Sequence, residues 1–174
     1  MKTALHHLVQ GNWKSNDATV DPEKCQLVLA FGSPELLTDA QHFEHLRKLY
    51  PNADIVSSST AGEIIQDAVH DDSIVAIAIQ LENSTLKTVK TNIGQHADSY
   101  SAGVALKNLL DDESLSGIFI ISDGLMVDGS ALVRGFSYNN VKKIPITGGL
   151  AGDAARFQKT YTGLNEVASQ GNII

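Results

Sequence analysis

Asp54-Ile55-Val56-Ser57-Ser58-Ser59-Thr60-Ala61-Gly62-Glu63-Ile64 is an apolar strand that runs into small residues and finishes on Ala-Gly followed by an acid. A later stretch, Lys143-Ile144-Pro145-Ile146-Thr147-Gly148-Gly149-Leu150-Ala151-Gly152-Asp153, has the same form. What precedes each stretch matches as well. Gln26 to Phe31 is a short apolar run that stops at Gly32-Ser33-Pro34, and Gly117 to Ile121 is one that stops at Ser122-Asp123-Gly124. Runs of this length bounded by turn residues read as strands, and their lack of alternation reads as burial on both faces.

Helical periodicity fills the space between strands in both copies. Thr38 or Asp39 caps a helix with Phe43, Leu46, Leu49 and Tyr50 on one face, ended by Pro51-Asn52, and Ser130 opens one with Leu132, Val133 and Phe136 inward. Ile74 to Ile79 is a third apolar strand, and Phe157 to Tyr161 is its expected counterpart. The fold class is therefore α/β, a layered mixed β-sheet with outer helices, made of two pseudo-duplicated β-α-β-β units. Between the units, Thr85 to Ile93 alternates as an edge strand does, and Asp98 or Ser99 caps a helix with Ala102, Ala105, Leu106, Leu109 and Leu110 inward.

Residues 1–22 are uneven in composition and read as an N-terminal arm anchored through Trp13, with the ordered domain, 23–174, starting near Cys25. The last residues, Gly171-Asn172-Ile173-Ile174, end in a nascent strand, as expected of a piece of a longer protein.

The 174 residues are 43% hydrophobic and 19% charged, the composition of a globular chain with a sizeable core. A net charge of -7 and only three arginines argue against nucleic acid as a partner, because phosphate binding needs clustered Lys and Arg. Cys25 is the single cysteine, so no intrachain disulfide forms and a reducing compartment is compatible. No segment approaches the roughly 20 apolar residues of a membrane span, which predicts no membrane insertion and a cytoplasmic location.

The duplicated strand ends are the candidate binding site. Gly62 and Gly152 permit positive φ or close backbone approach, and the N–H groups of Ser58, Ser59 and Thr60 and of Thr147, Gly148 and Gly149 are placed to hold a carboxylate or phosphate. Glu63 and Asp153 would then hold an amine, so the pair suits a zwitterion such as an amino acid. The alternative is structural: the glycines shape tight turns and the acids satisfy nearby backbone N–H groups. Asp123 stands at the end of an apolar strand, where α/β sheets collect ligands, or else caps the following turn. An enzyme of hydrolase type would use Thr60 with Asp123, but neither a Gly-x-Ser-x-Gly elbow nor a phosphate-binding Gly-rich loop is present.

Ser58-Ser59-Thr60-Ala61-Gly62-Glu63-Ile64, Asp71-Asp72-Ser73-Ile74-Val75-Ala76-Ile77-Ala78 and Gly148-Gly149-Leu150-Ala151-Gly152-Asp153, in this order and spacing, resemble the N-terminal half of a FIST domain. The resemblance covers roughly Leu27 to Gly163. It implies a sensory module that binds a small ligand and passes its occupancy to a histidine kinase or diguanylate cyclase. One stand-alone bacterial subgroup of that family binds haem and senses nitric oxide for a partner histidine kinase, and the position of the FIST-like region near the start of this chain resembles it. Haem as cofactor requires an axial ligand, and His6, His7, His42, His45, His70 and His96 are the candidates, none singled out by the sequence. Where the family often carries Gly-Cys ahead of the first motif, this chain has Ser57-Ser58, so a thiol role there does not transfer.

Overall fold

The computed structural model describes residues 1–16, 19–110, 112–138 and 140–174. In chain order the strands are β1 Lys2–Val9, β2 Asn12–Ser15, β3 Leu27–Gly32, β4 Asp54–Ser59, β5 Glu63–Ile65, β6 Ala68–His70, β7 Ile74–Gln80, β8 Thr91–Asn92, β9 Ile118–Ser122, β10 Ile146–Leu150, β11 Thr162–Leu164 and β12 Asn172–Ile173. The helices are α1 Pro34–Leu37, α2 Ala40–Leu49, α3 Ser99–Leu110 and α4 Gly129–Phe136.

The two largest sheets share one plan. One has the order β11-β4-β3-β7-β1-β2 and the other β10-β9-β12-β8, while β5 and β6 form a separate hairpin. Within the run β4-β3-β7-β1 the first pair is parallel and the next two antiparallel, and β10-β9-β12-β8 repeats that sense strand for strand. Register is conserved too: Gly32 lies opposite Ile74, and Ser122 opposite Ile173. Just beyond, Ser33 N donates to Ser73 O at 3.1 Å and Asp123 N to Asn172 O at 2.9 Å. The duplication read from the sequence is thus a duplication of sheet topology.

Each sheet buries one face under helices. Val28, Ala30, Ile55, Ile74, Ala76, Ala78, Ala4 and Leu8 form one core with Leu37, Leu46 and Tyr50. Ile118, Ile120 and Ile173 form the other with Ala102, Leu106, Leu110, Leu132 and Phe136. The opposite face of β3, Leu27 and Leu29, is only half buried, so this strand is not covered on both sides as its unbroken apolar run predicts. Asp39 caps α2 and Asp128, rather than Ser130, caps α4, each accepting a backbone N–H with its side chain. Leu49, Leu109 and Val133 point outward from their helices, while His42 takes an inward place on α2.

Three further expectations change. The N-terminal arm is a strand: β1 pairs with β7 along its length and with β2, and Ala4 and Leu8 enter the core, so the ordered fold starts at Lys2 rather than Cys25. Only Thr91–Asn92 of the expected 85–93 strand pairs in a sheet; the residues before it form an irregular strap. Phe157 to Tyr161 is not the counterpart of β7. Phe157 is 77% exposed with φ +52°, and β12 takes that role.

Candidate functional site

The two strand ends named by the sequence meet directly. Gly152 N donates to Ser59 O at 2.8 Å, Ser59 Oγ donates to Gly152 O at 2.7 Å and accepts from Tyr161 N at 2.9 Å. A Cβ on Gly152 would stand 3.1 Å from Ala61 N and 3.2 Å from Thr60 C, so the glycine is there for close backbone approach. Gly62, at φ +137°, turns the chain from β4 into the β5–β6 hairpin.

The acids at these ends are occupied from within. Glu63, 3% exposed, accepts from Thr60 Oγ1 at 2.5 Å and Ser73 Oγ at 2.7 Å. Asp153 accepts the N–H groups of Gln158 and Lys159 at 3.0 Å each, and Arg156 Nε at 2.7 Å. Burial pushes its carboxyl upward, but those donors outweigh burial and hold it below the usual carboxylate range. Arg156 also reaches Glu35 Oε1 at 2.6 Å, tying the second strand end to the first turn of α1. Asp123 is fully buried: Oδ1 accepts from Leu125 N and Met126 N, and Oδ2 from Gly171 N, all at 2.8 Å.

The backbone donors proposed for an anion are engaged in part. Ser59 N donates to Tyr161 O and Thr60 N to Gly32 O, and Ser58 sits opposite Thr162 in the β4–β11 pairing. Along β10 the pattern alternates. Ile118 N donates to Pro145 O and Ala151 N to Ser122 O, so Thr147 and Gly149 turn their backbone groups toward β9 while Gly148 and Leu150 turn theirs outward. Thr60 and Asp123, the pair an enzyme would need, are bound to different partners, and no hydrogen bond joins them.

A second candidate is a cavity that the motifs do not mark. Toward the starts of β3 and β9, residues of both sheets line a cavity of about 850 Å³. Leu27, Leu29 and Val56 line one wall, Phe119 and Ile121 the other, and the 82–89 strap with Leu86 closes a side. Phe119 is 50% exposed and Leu86 40%, large apolar surfaces turned to an open volume. None of Ser58, Ser59, Thr60, Gly62, Glu63, Asp123, Gly148, Gly149, Gly152 and Asp153 lines it. The signal that could have found it is the strap, whose alternation is too polar for a strand between two sheets.

A family model described as FIST N domain matches residues 26–174. The chain belongs to the FIST family. No curated protein and no solved structure matches it. FIST domains are sensory modules that bind small ligands in signal transduction, a non-catalytic class. In this FIST N domain no helix of the described residues is long and apolar enough to cross a membrane.

The six histidines, of which His6 and His7 precede the FIST N match, stand away from the cavity. His6 bonds Tyr50 Oη and Ser15 Oγ at 2.7 Å each, His45 stacks on Trp13 at 4.8 Å between centroids, and His42 meets the same ring edge-on at 6.2 Å. His7 and His70 have ring centroids 4.9 Å apart, and His96 bonds Thr91 Oγ1 at 2.7 Å. Among the described residues no three His, Cys, Asp or Glu side chains converge as metal ligands.

Proposed function

We propose that this FIST N domain senses a small, predominantly apolar molecule held in the cavity between its two sheets. The observation that carries the reading is a cavity of about 850 Å³ whose lining joins the half-exposed Phe119 of one sheet to Leu27 and Leu29 of the other. That volume falls in the range of ligand pockets, about 300–1,000 Å³. Removing such apolar surface from water is worth about 25 cal/mol per Å².

The cavity walls come from both duplicated units, and the units are joined at Ser59 and Gly152. Occupancy therefore acts on the spacing of the two sheets about that joint, and this is the change a histidine kinase or diguanylate cyclase partner would read. Haem does not fit the compartment: its lining offers no His, Cys, Met or Tyr to the iron. A zwitterion at the strand ends is the second reading, and one observation favours it: Ser33 Oγ and Ser122 Oγ are buried there without a hydrogen-bond partner.

A thermal-shift panel of amino acids, indole and medium-chain fatty acids separates the readings. Apolar members should raise the melting temperature of the wild type and of Glu63→Gln, and fail with Phe119→Ser. Shifts from amino acids alone, lost in Glu63→Gln and kept in Phe119→Ser, would reverse the assignment.

A further inference from the structure

The duplication also shows what each sheet edge needs. In the first sheet the outer edge of β4 is covered by β11, antiparallel, with Thr162 opposite Ser58 and Leu164 opposite Val56. The topologically equivalent edge in the second sheet belongs to β10, and no described strand covers it. Residues 147–150 are exposed along it. Natural edge strands are protected by charge, proline, a bulge or brevity. Here β2 carries Lys14 and β8 has two residues, whereas Ile146–Leu150 is five residues long and uncharged.

We infer that the β10 edge is the interface through which two copies of this chain pair, β10 against β10 of the second copy, antiparallel. Two observations select a second copy as the occupant. The strand that covers β4 reads Thr162-Gly163-Leu164, and β10 itself reads Thr147-Gly148-Gly149-Leu150, so each copy offers the kind of strand that the equivalent edge accepts. The outward backbone groups of β10 belong to Ile146, Gly148 and Leu150, which are symmetric about Gly148. A two-fold axis at Gly148 therefore sets Gly148 against itself and Ile146 against Leu150, with donors meeting acceptors throughout. Leu150, Leu125 and Met126, all exposed, supply apolar surface beside the strand.

Sedimentation velocity of the full chain across micromolar concentrations tests the pairing. The wild type should shift from 18.6 kDa toward twice that mass as concentration rises. Leu150→Pro removes an outward N–H that no described residue accepts, and should weaken dimerisation at least tenfold. Gly149→Lys, where a Cβ meets nothing within 4 Å, sets two like charges beside the axis and should do the same with unchanged circular dichroism. If Leu150→Pro unfolds, Gly149→Lys decides alone. A wild type that stays monomeric throughout overturns the inference, as does a dimer that survives Gly149→Lys, or an edge that captures only an unrelated extended peptide.

Discussion

Ser59 and Gly152 exchange two hydrogen bonds, Gly152 N to Ser59 O at 2.8 Å and Ser59 Oγ to Gly152 O at 2.7 Å, and through them the first β-α-β-β unit is fastened to the second. Ser59 is almost wholly buried, while Gly152 and Tyr161 are partly buried, so water competes for these bonds only from their outer side. Ser59→Ala would leave Gly152 O and Tyr161 N each short of a partner. The expected loss is about 1–3 kcal/mol of unfolding free energy, because an orphaned buried group costs about 1–3 kcal/mol and these two, being partly buried, cost less each. Urea denaturation checks it.

Gly148 and Gly149 are neighbours with opposite tolerances. A Cβ on Gly148 would fall 1.8 Å from Ile120 O at φ +145°, whereas one on Gly149 meets nothing within 4 Å. Gly148→Ala should destabilise by about 2 kcal/mol or more and Gly149→Ala by no more than about 0.5 kcal/mol. Paired thermal melts distinguish them.

How far this architecture is legible in the sequence follows from where each signal originates. The repeated strand ends and their helices are written locally, as apolar runs, capping residues and Ala-Gly-acid triplets, and they recur in the structure with one register. The β1 strand is harder to read because its inward positions are Ala4, His6 and Leu8, so a histidine interrupts the apolar alternation and the partner strand β7 lies far along the chain. Phe157 to Tyr161 misleads for a related reason. The segment after β10 sends β11 across to the first sheet before returning as β12, a long-range pairing with no local mark. The cavity is less legible still, since it exists only where two sheets part.

The buried Asp123 anchors the turn after β9 by accepting three backbone N–H groups, that of Gly171 in full burial and those of Leu125 and Met126 partly buried. Asp123→Ala strands all of them and should cost about 3 kcal/mol or more, by the sum of unmet donors reduced for relaxation. Chemical denaturation measures the cost. A catalytic role would instead leave stability intact.

Acid should loosen the packing of β2 on α2. Burial lowers the pKa of His6, His42 and His45; His45 further lowers His6, His42 and Lys48 further lower His45, and Asp39 partly offsets the effect on His42. A histidine held neutral in the fold contributes stability that is fully present above its unfolded value, about 6.5, and lost as pH falls from there through the folded pKa. The melting temperature should therefore drop by several degrees between pH 7.5 and pH 5.5. His45→Gln should flatten that slope, read from thermal melts at the two pH values.

Methyl NMR addresses the cavity between the sheets most directly. With assigned Leu, Ile and Val methyls, the full chain is titrated with indole, with medium-chain fatty acids and with an amino-acid panel. Saturable shifts are expected at Leu27, Leu29, Val56 and Ile121 on addition of an apolar member. Shifts confined to methyls beside the strand ends, or no saturable shift with any apolar compound, would contradict that expectation.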